Sequence, residues 1–300
     1  MARPRIGIAL GSGGARGWAH IGVLEGLAAL GIVPDVVSGS SIGALVGAAF
    51  VTGRLPQLKA RLENFGKRDV AALLDVRLAT GGLIEGKKTE NFLDGLGISG
   101  PIESFVPRYG AVATNLASGR EVWLQKGPVG RAVRASIGVP GVFSPTRDED
   151  GNWLIDGGVV NPVPVSLAKA LGADIVIAVD LNSDLLGRRF TEETGEAEAS
   201  PDEWKIPSQV PQWLKDAVSP VLARVVQPAP DYPSYFDVLA NSLNIMEDRI
   251  TRSRLAGDPP EILLSPRLPN FTWLDFHRAK EAIAEGAACV ERAKAAIRQY

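Results

Sequence analysis

A serine framed by glycines is the residue of this sequence best suited to nucleophilic chemistry. Ser41 is the central residue of GSSIG at 39–43, which fits the G-x-S-x-G turn that exposes a serine hydroxyl between a strand and a helix. That turn strains the serine backbone, and the glycines at its two ends give the clearance it needs. Residues 32–37 predict a short buried strand before the turn, and 44–51 predict an apolar helix after it. This context favours Ser41 as a nucleophile.

A second glycine-rich segment precedes this turn and could bind an anion. Residues 11–17 read GSGGARG, between a strand predicted over 5–10 and a helix predicted from Trp18 to Leu30. Small residues at the start of a helix allow several backbone N–H groups to point at one anion. One motif could therefore supply the nucleophile, and the other could hold the oxyanion that follows attack. Together they favour a serine hydrolase.

A serine nucleophile needs a general base, and Asp156 is the better candidate. His20 directly follows the glycine loop, where we expect it to pack or to form a local hydrogen bond. His277 lies in a C-terminal helical region. Asp156 closes the apolar strand predicted at 153–155 and is followed by two glycines, which allow another backbone to approach closely. Partial burial there would raise the pKa of Asp156 and make it a usable base.

The elements that must position these residues alternate between strands and helices. The alternation predicts an α/β domain with a largely parallel sheet. A Ser118-Gly119 turn predicts a hairpin between two of the strands. The predicted strands cover 109–115, 121–124, 153–155 and 175–179, and the predicted helices cover 55–65, 129–137 and 165–171.

The composition changes after Asp180. Residues 185–200 are charged and lack apolar periodicity, which is typical of a surface loop. Prolines are frequent over 204–235, around one amphipathic helix from Trp213 to Val226. The remaining predicted elements are helices over 236–255 and 274–298 and a strand over 261–264.

Composition limits the class of protein and its partners. Apolar residues make up 45% and charged residues 22% of the chain, as in ordinary globular proteins. The net charge of -2 and the lack of a dense basic run give no indication of nucleic-acid binding. The single cysteine, Cys289, excludes an intrachain disulfide and is expected to be a buried, inert thiol. We expect a cytoplasmic location, because no apolar run predicts a signal peptide or a membrane span.

Three ordered motifs resemble the signatures of patatin-like phospholipases, in the form of the bacterial branch related to neuropathy target esterase. They are GGARG at 13–17, GSSIG at 39–43 and DGG at 156–158. The resemblance covers about 5–181, where ATNL at 113–116, GR at 119–120 and AS at 135–136 also match, followed by Pro140, Phe143 and Pro145. Ser12 stands where the family usually has the first glycine of its loop.

The resemblance implies a fold, a domain division and a mechanism. The fold would be a patatin-like three-layer arrangement with a mostly parallel central sheet flanked by helices. A catalytic core would span 5–181, which the strand near 261–264 could complete. The segment 182–300 would hold a variable loop, the amphipathic helix and C-terminal helices. The mechanism would use a dyad of Ser41 and Asp156 without histidine, an acyl-enzyme, and neither a metal nor a cofactor.

The same resemblance assigns roles to the glycine-rich segments. Backbone N–H groups would hold the oxyanion, and Gly39, Gly43, Gly157 and Gly158 would shape the turns around the dyad. The implied substrate is a phospholipid, a lysophospholipid or another fatty-acyl ester. The expected oxyanion donors are Gly13, Gly14, Ala15 and Arg16.

Other interpretations of the sequence remain open. An α/β-hydrolase could use Ser41 with His277, since the order of these residues fits that fold. A non-catalytic module could bind a nucleotide through the Gly11–Gly17 loop. The amphipathic helix from Trp213 to Val226 could contact a membrane peripherally, or it could pack on the domain or on a second subunit of a homo-oligomer.

Overall fold

A computed structural model of the 300-residue chain describes residues 3–63, 87–183 and 235–300. Within these ranges, strands and helices alternate along much of the chain. The strands are β1 Ile6–Leu10, β2 Val36–Ser40, β3 Arg108–Asn115, β4 Glu121–Leu124, β5 Thr146–Arg147, β6 Trp153–Asp156, β7 Ile175–Val179 and β8 Ile262–Leu264. The helices are α1 Ala19–Ala29, α2 Ile42–Val51, α3 Leu55–Glu63, α4 Lys87–Gly95, α5 Val129–Ser136, α6 Val165–Ala170, α7 Tyr235–Gly257 and α8 Ala279–Ile297.

The eight strands belong to one mixed sheet whose larger part is parallel. Five neighbouring strands run parallel to one another in the order β3-β2-β1-β7-β8. Beyond them, β4 and β6 pair with β3 in the antiparallel sense, and β5 pairs antiparallel with β6. The hairpin predicted around Ser118-Gly119 is the β3–β4 pair. The α/β class predicted from the sequence is therefore confirmed.

Helices cover both faces of the sheet because successive strand residues point into two different cores. In β1, Ile8 and Leu10 belong to a core that includes residues of α1, α2 and α8. Ala9 belongs to a second core, which includes residues of α6. This alternation follows from the two-residue period of a strand. Burial on both faces is expected for a central parallel strand, and it gives the fold three layers.

Two local features differ from the prediction. Strand β2 begins at Val36 rather than at residue 32, because Pro34 lacks the N–H group that a sheet ladder uses. Trp153, predicted to lie in a buried strand, is 44% exposed at the start of β6. There the guanidinium of Arg147 stacks 4.3 Å from the centre of its ring. Aromatic residues in short strands therefore do not always face the core.

The chain divides into two compact units, one formed by 1–185 with 246–300 and the other by 186–245. In the second unit, only the residues of α7 from Tyr235 onward are described. The loop predicted over 185–200 and the helix predicted over 213–226 lie outside the described ranges. The domain division at 181 stays a prediction. Among the helices of the described ranges, none has the length and hydropathy of a membrane span.

Candidate active site

The elbow predicted at Ser41 joins β2 directly to α2. Ser41 has φ 55° and ψ −125°, and within the described ranges it is the only non-glycine residue with a positive φ. Such a conformation costs roughly 1–3 kcal/mol and persists only where its surroundings hold it. The N–H of Ser41 donates to Ser136 Oγ at 2.9 Å. The carbonyl of Ser41 accepts a helical hydrogen bond from the Ala44 N–H at 2.9 Å.

The glycines of the elbow are required by close backbone contacts. A Cβ at Gly43 would collide with the carbonyl oxygen of Leu10, and a Cβ at Gly39 would lie 2.5 Å from the backbone of Ala44. Strands β1 and β2 are parallel, with Leu10 opposite Gly39. The glycine loop after β1 and the elbow after β2 therefore leave the sheet at the same edge and lie side by side.

Strand β3 brings Asp156 to Ser41 by pairing with two other strands in succession. Ser40, the last residue of β2, pairs with Val112 of β3. Asp156, the last residue of β6, pairs with the next β3 residue, Ala113. Because β4 pairs with β3 along this same stretch, β2 and β6 must share the opposite edge of β3. Asp156 therefore arrives directly beyond the end of β2, where Ser41 begins the elbow.

A short hydrogen bond joins the two predicted dyad residues. Ser41 Oγ donates to Asp156 Oδ2 at 2.6 Å. The other carboxylate oxygen, Oδ1, accepts the N–H of Gly158 at 2.7 Å. Thr114 Oγ1 donates to the carbonyl of Asp156 at 2.7 Å, and the N–H of Asp156 donates to Gly138. The carboxylate is thus oriented from both of its oxygens and from its own backbone.

The environment makes the Asp156 carboxyl unusually basic. Asp156 and Ser41 are only 2% and 4% exposed. Burial, followed by the negative charge of Glu247, raises the pKa of Asp156 to about 8. The hydrogen bonds from Ser41 and Gly158 act in the opposite direction, because they stabilise the ionised carboxylate. A carboxylate with a pKa near neutrality is well matched to accept a proton from a serine hydroxyl.

The glycine loop leads from β1 into a 3-10 turn, Gly14–Trp18, through two residues with positive φ. These are Gly13 with φ 154° and Gly14 with φ 59°. The preceding N–H groups are engaged, since Gly11 donates to the Val179 carbonyl and Ser12 to the Pro162 carbonyl. Within the described ranges, the N–H groups of Gly13 and Gly14 donate no hydrogen bond. They are the part of the loop that can bind an anion.

One predicted oxyanion donor is already in use. The N–H of Ala15 donates to the carbonyl of Trp273 at 3.0 Å, so it is not available to an oxyanion in this structure. The guanidinium of Arg16 is buried, and its Nη2 donates to Asn182 Oδ1 at 2.9 Å. This hydrogen bond therefore joins the glycine loop to Asn182, which follows β7. The role of the Arg16 N–H stays a prediction.

The two histidines occupy other positions. His20 is buried and its Nε2 donates to the Gly11 carbonyl at 2.8 Å, which is the local hydrogen bond expected from the sequence. Burial lowers the pKa of His20 to about 4, so the ring is neutral at pH 7. His277 lies half-buried in a 3-10 turn, Phe276–Arg278, before α8. The hydroxyl of Ser41 donates to Asp156 rather than to an imidazole.

Two residues that contact this site received no role from the sequence. Ser136 accepts the N–H of Ser41, and its only sequence signal was its place in the AS pair at 135–136. Glu247 of α7 accepts a hydrogen bond from Ser12 Oγ at 2.9 Å. Glu247 lies 235 residues after Ser12, and no local pattern marks it. The site therefore combines a serine hydroxyl in a strained elbow, a buried carboxyl of raised pKa, two unengaged N–H groups and a second carboxylate.

Comparisons with known proteins agree with these motifs. A family model described as patatin-like phospholipase matches residues 8–169. An uncharacterized NTE family protein of Mycobacterium tuberculosis is 33% identical over an alignment of 337 residues, which covers 97% of this chain and 91% of that protein. A lysophospholipase of Aspergillus fumigatus is 33% identical over 186 residues, which cover 59% of this chain but only 12% of that protein.

The fold is also similar to that of a solved structure. VipD from Legionella pneumophila superposes with a TM-score of 0.52, over 97% of this chain and 67% of that protein. Only 14% of the aligned residues are identical, so the similarity concerns the fold alone. The three-layer arrangement around a mixed sheet is therefore shared with a protein whose sequence has diverged widely.

Proposed function

The chain belongs to the patatin-like phospholipase family, and on that premise we propose that it is a lipid acyl hydrolase with a Ser41–Asp156 dyad. The observation that carries the proposal is the 2.6 Å hydrogen bond from Ser41 Oγ to Asp156 Oδ2. This bond is buried, it starts from a strained elbow, and it ends on a carboxyl of raised pKa. Each of these features is typical of a nucleophile and its base.

The acylation step follows from this geometry. As Ser41 Oγ forms a bond to the ester carbonyl carbon, its proton passes to Asp156 Oδ2. The negative charge moves to the carbonyl oxygen, and the N–H groups of Gly13 and Gly14 stabilise it. Loss of one such donor typically costs about 3 kcal/mol of transition-state stabilisation. Collapse of the intermediate breaks the ester bond, and the leaving alcohol oxygen takes the proton from Asp156.

Deacylation repeats the same proton transfers with water. Asp156 accepts a proton from a water molecule as its oxygen attacks the acyl-Ser41 ester. Collapse of the second intermediate returns the proton to Ser41 Oγ and releases a fatty acid. The substrate class we propose is a phospholipid, a lysophospholipid or another fatty-acyl ester. The lysophospholipase name of the Aspergillus relative supports a lysophospholipid as the first substrate to examine.

A comparison of variants on lipid and non-lipid esters tests this function. Fatty-acid release from lysophosphatidylcholine micelles, phosphatidylcholine vesicles and p-nitrophenyl butyrate would be measured for wild type, Ser41→Ala and Ser118→Ala. Ser118 is an exposed turn serine and serves as the matched control. We expect only Ser41→Ala to be inactive, and a serine-directed phosphonate to label the wild-type peptide that contains Ser41.

The open alternatives predict different results. A nucleotide-binding module would hydrolyse no ester and would leave Ser41 unlabelled. An α/β-hydrolase with His277 would lose its activity in His277→Ala, a variant that the proposed dyad leaves active. Either result would refute the proposed function.

A further inference from the structure

A second buried carboxylate lies against the candidate active site. Glu247 is only 8% exposed, and its Oε2 accepts two hydrogen bonds. One comes from Ser12 Oγ at 2.9 Å, and the other comes from Asn182 Nδ2 at 2.7 Å. Ser12 belongs to the glycine loop, and Asn182 follows β7. The Glu247 carboxylate therefore ties together a loop and a strand end that are far apart in the sequence.

The other oxygen of Glu247 faces the turn that carries the proposed base. A Cβ built on Gly158 would collide with Glu247 Oε1, and it would also lie 3.0 Å from Asp156 Oδ1. Gly158 donates its N–H to that same Oδ1. The absence of a side chain at residue 158 therefore lets two carboxyl groups approach the same backbone turn. Glu247 contacts both halves of the proposed chemistry, the glycine loop and the Asp156–Gly158 turn.

Other charged groups surround Glu247 from neighbouring elements. The guanidinium of Arg16 donates to Asn182 Oδ1, and the Asn182 N–H donates to Asp180 Oδ1 at 2.9 Å. The pKa of Glu247 is raised above its ordinary value, because burial outweighs the hydrogen bonds from Ser12 and Asn182 and the positive charge of Arg16, which lower it. Asp180 adds a further negative charge, which raises the pKa of Glu247. Asp248 and Arg252 act electrostatically on Asp180.

We propose that Glu247 is a positioning residue of this active site, which holds the glycine loop against the Asp156–Gly158 turn and places a negative charge beside Asp156. The proposal rests on the proposed function. It concerns a residue that lies beyond 8–169, the part of the chain that the family model matches. Ser12, which stands in place of the usual first glycine of the loop, provides the hydroxyl for this contact.

Two consequences follow for the reaction. The contact with Ser12 fixes the entry of the loop whose N–H groups at Gly13 and Gly14 receive the oxyanion, so its loss lowers kcat with little effect on KM. The charge of Glu247 opposes ionisation of Asp156, because two carboxylates in a poorly solvated site repel each other. Removal of that charge makes Asp156 ionise at lower pH.

The pH dependence of kcat/KM separates this role from a merely structural one. We would measure it between pH 5 and pH 9 on p-nitrophenyl butyrate for wild type, Glu247→Gln, Glu247→Asp and Glu291→Gln. Glutamine keeps the shape of Glu247 and removes its charge. Aspartate keeps the charge and shortens the reach. Glu291 is an exposed residue of α8, and its variant controls for the loss of one negative charge elsewhere.

In the pH profile of kcat/KM, we expect the acidic side of the Glu247→Gln curve to shift to lower pH by about one unit. The maximum kcat/KM of this variant should also be lower than that of wild type. In Glu247→Asp, kcat/KM should fall at a pH closer to that of wild type, and kcat should be at least about tenfold lower with an unchanged KM. Glu291→Gln should match wild type.

If Glu247→Gln folds and its kcat/KM depends on pH as that of wild type does, the proposal is wrong. Should that variant fail to fold by circular dichroism, a wild-type kcat in Glu247→Asp would overturn it instead. A wild-type enzyme that neither hydrolyses the ester nor labels at Ser41 would overturn the proposed function and this inference together. If wild type is active and both Glu247 variants have the kinetics of wild type, only this inference is overturned.

Discussion

The raised pKa of Asp156 predicts a steep dependence of activity on pH. A general base works only in its ionised form, and burial raises the pKa of Asp156 to about 8. Therefore kcat/KM must fall as the pH falls below that value, and a plot of log(kcat/KM) against pH should have a slope of one there. At pH 6, about 1% of the Asp156 carboxyl groups are ionised, against about 90% at pH 9. Activity should therefore differ on the order of 100-fold between the two.

Fatty-acid release followed by pH-stat titration is a suitable assay, because it does not depend on the ionisation of a chromophore. The background rate of Ser41→Ala at each pH corrects for spontaneous hydrolysis, which rises with pH. Circular dichroism between pH 6 and pH 9 would show that the fold is unchanged over the same range. A flat profile between pH 6 and pH 9 would refute the assignment of a buried, basic Asp156. An acid limb near pH 4, the ordinary range of a solvated carboxyl, would refute it as well.

Three further predictions concern stability, metal and membrane. The pKa of Asp156 is higher in the folded than in the unfolded state, so wild type loses stability as the pH rises from about 4 to about 8. Asp156→Asn lacks this titration, so its melting temperature should rise relative to that of wild type between pH 5 and pH 8. A difference in melting temperature that does not change with pH would contradict this prediction. Activity should persist in excess EDTA, because Ser41, Asp156 and backbone N–H groups perform every proposed step, and strict calcium dependence would argue against the mechanism. If the helix predicted from Trp213 to Val226 contacts a membrane, Trp213→Glu should weaken binding to liposomes and lower activity on vesicles while sparing a p-nitrophenyl ester. A joint loss of both activities and of stability would mean that this segment has a structural role instead.

The parts of the site that depend on local sequence could be predicted. The elbow at Ser41 needs a strand, two glycines and a helix in immediate succession, and all of these lie within about twenty residues of one another. The same holds for the glycine loop after β1. The parallel pairing of β1 and β2, with Leu10 opposite Gly39, then places the two motifs at one edge of the sheet. That step follows from the general geometry of parallel strands.

Contacts between distant segments could not be predicted in this way. Asp156 is predicted as the base from its turn only in combination with the other motifs, and the reason it meets Ser41 is the pairing of β3 with both β2 and β6 along one edge. The sequence of no single segment predicts that β2 and β6 pair with the same edge of β3. Glu247 is a harder case, because a glutamate in a long amphipathic helix is normally solvated. Its burial depends on Ser12, Asn182 and the absence of a side chain at Gly158, which come from three different parts of the chain.

The loop donors show a different limit. The glycine-rich pattern predicted four oxyanion donors, but it could not show which N–H groups the fold itself would use. The carbonyl of Trp273, from a segment far along the chain, takes the N–H of Ala15. Satisfaction of backbone polar groups is settled by tertiary contacts, so the number of available donors in such a loop can be counted only in the folded structure.

The most direct test of the dyad is the kcat/KM of Ser41→Ala, Asp156→Asn and the double variant on p-nitrophenyl butyrate, with folding of each checked by circular dichroism. If Ser41 and Asp156 act as one unit, each single variant loses on the order of 1,000-fold or more, and the double variant is hardly worse than either. If Asp156→Asn retains substantial turnover, or if the losses of the two single variants multiply in the double variant, Asp156 is not the base of Ser41.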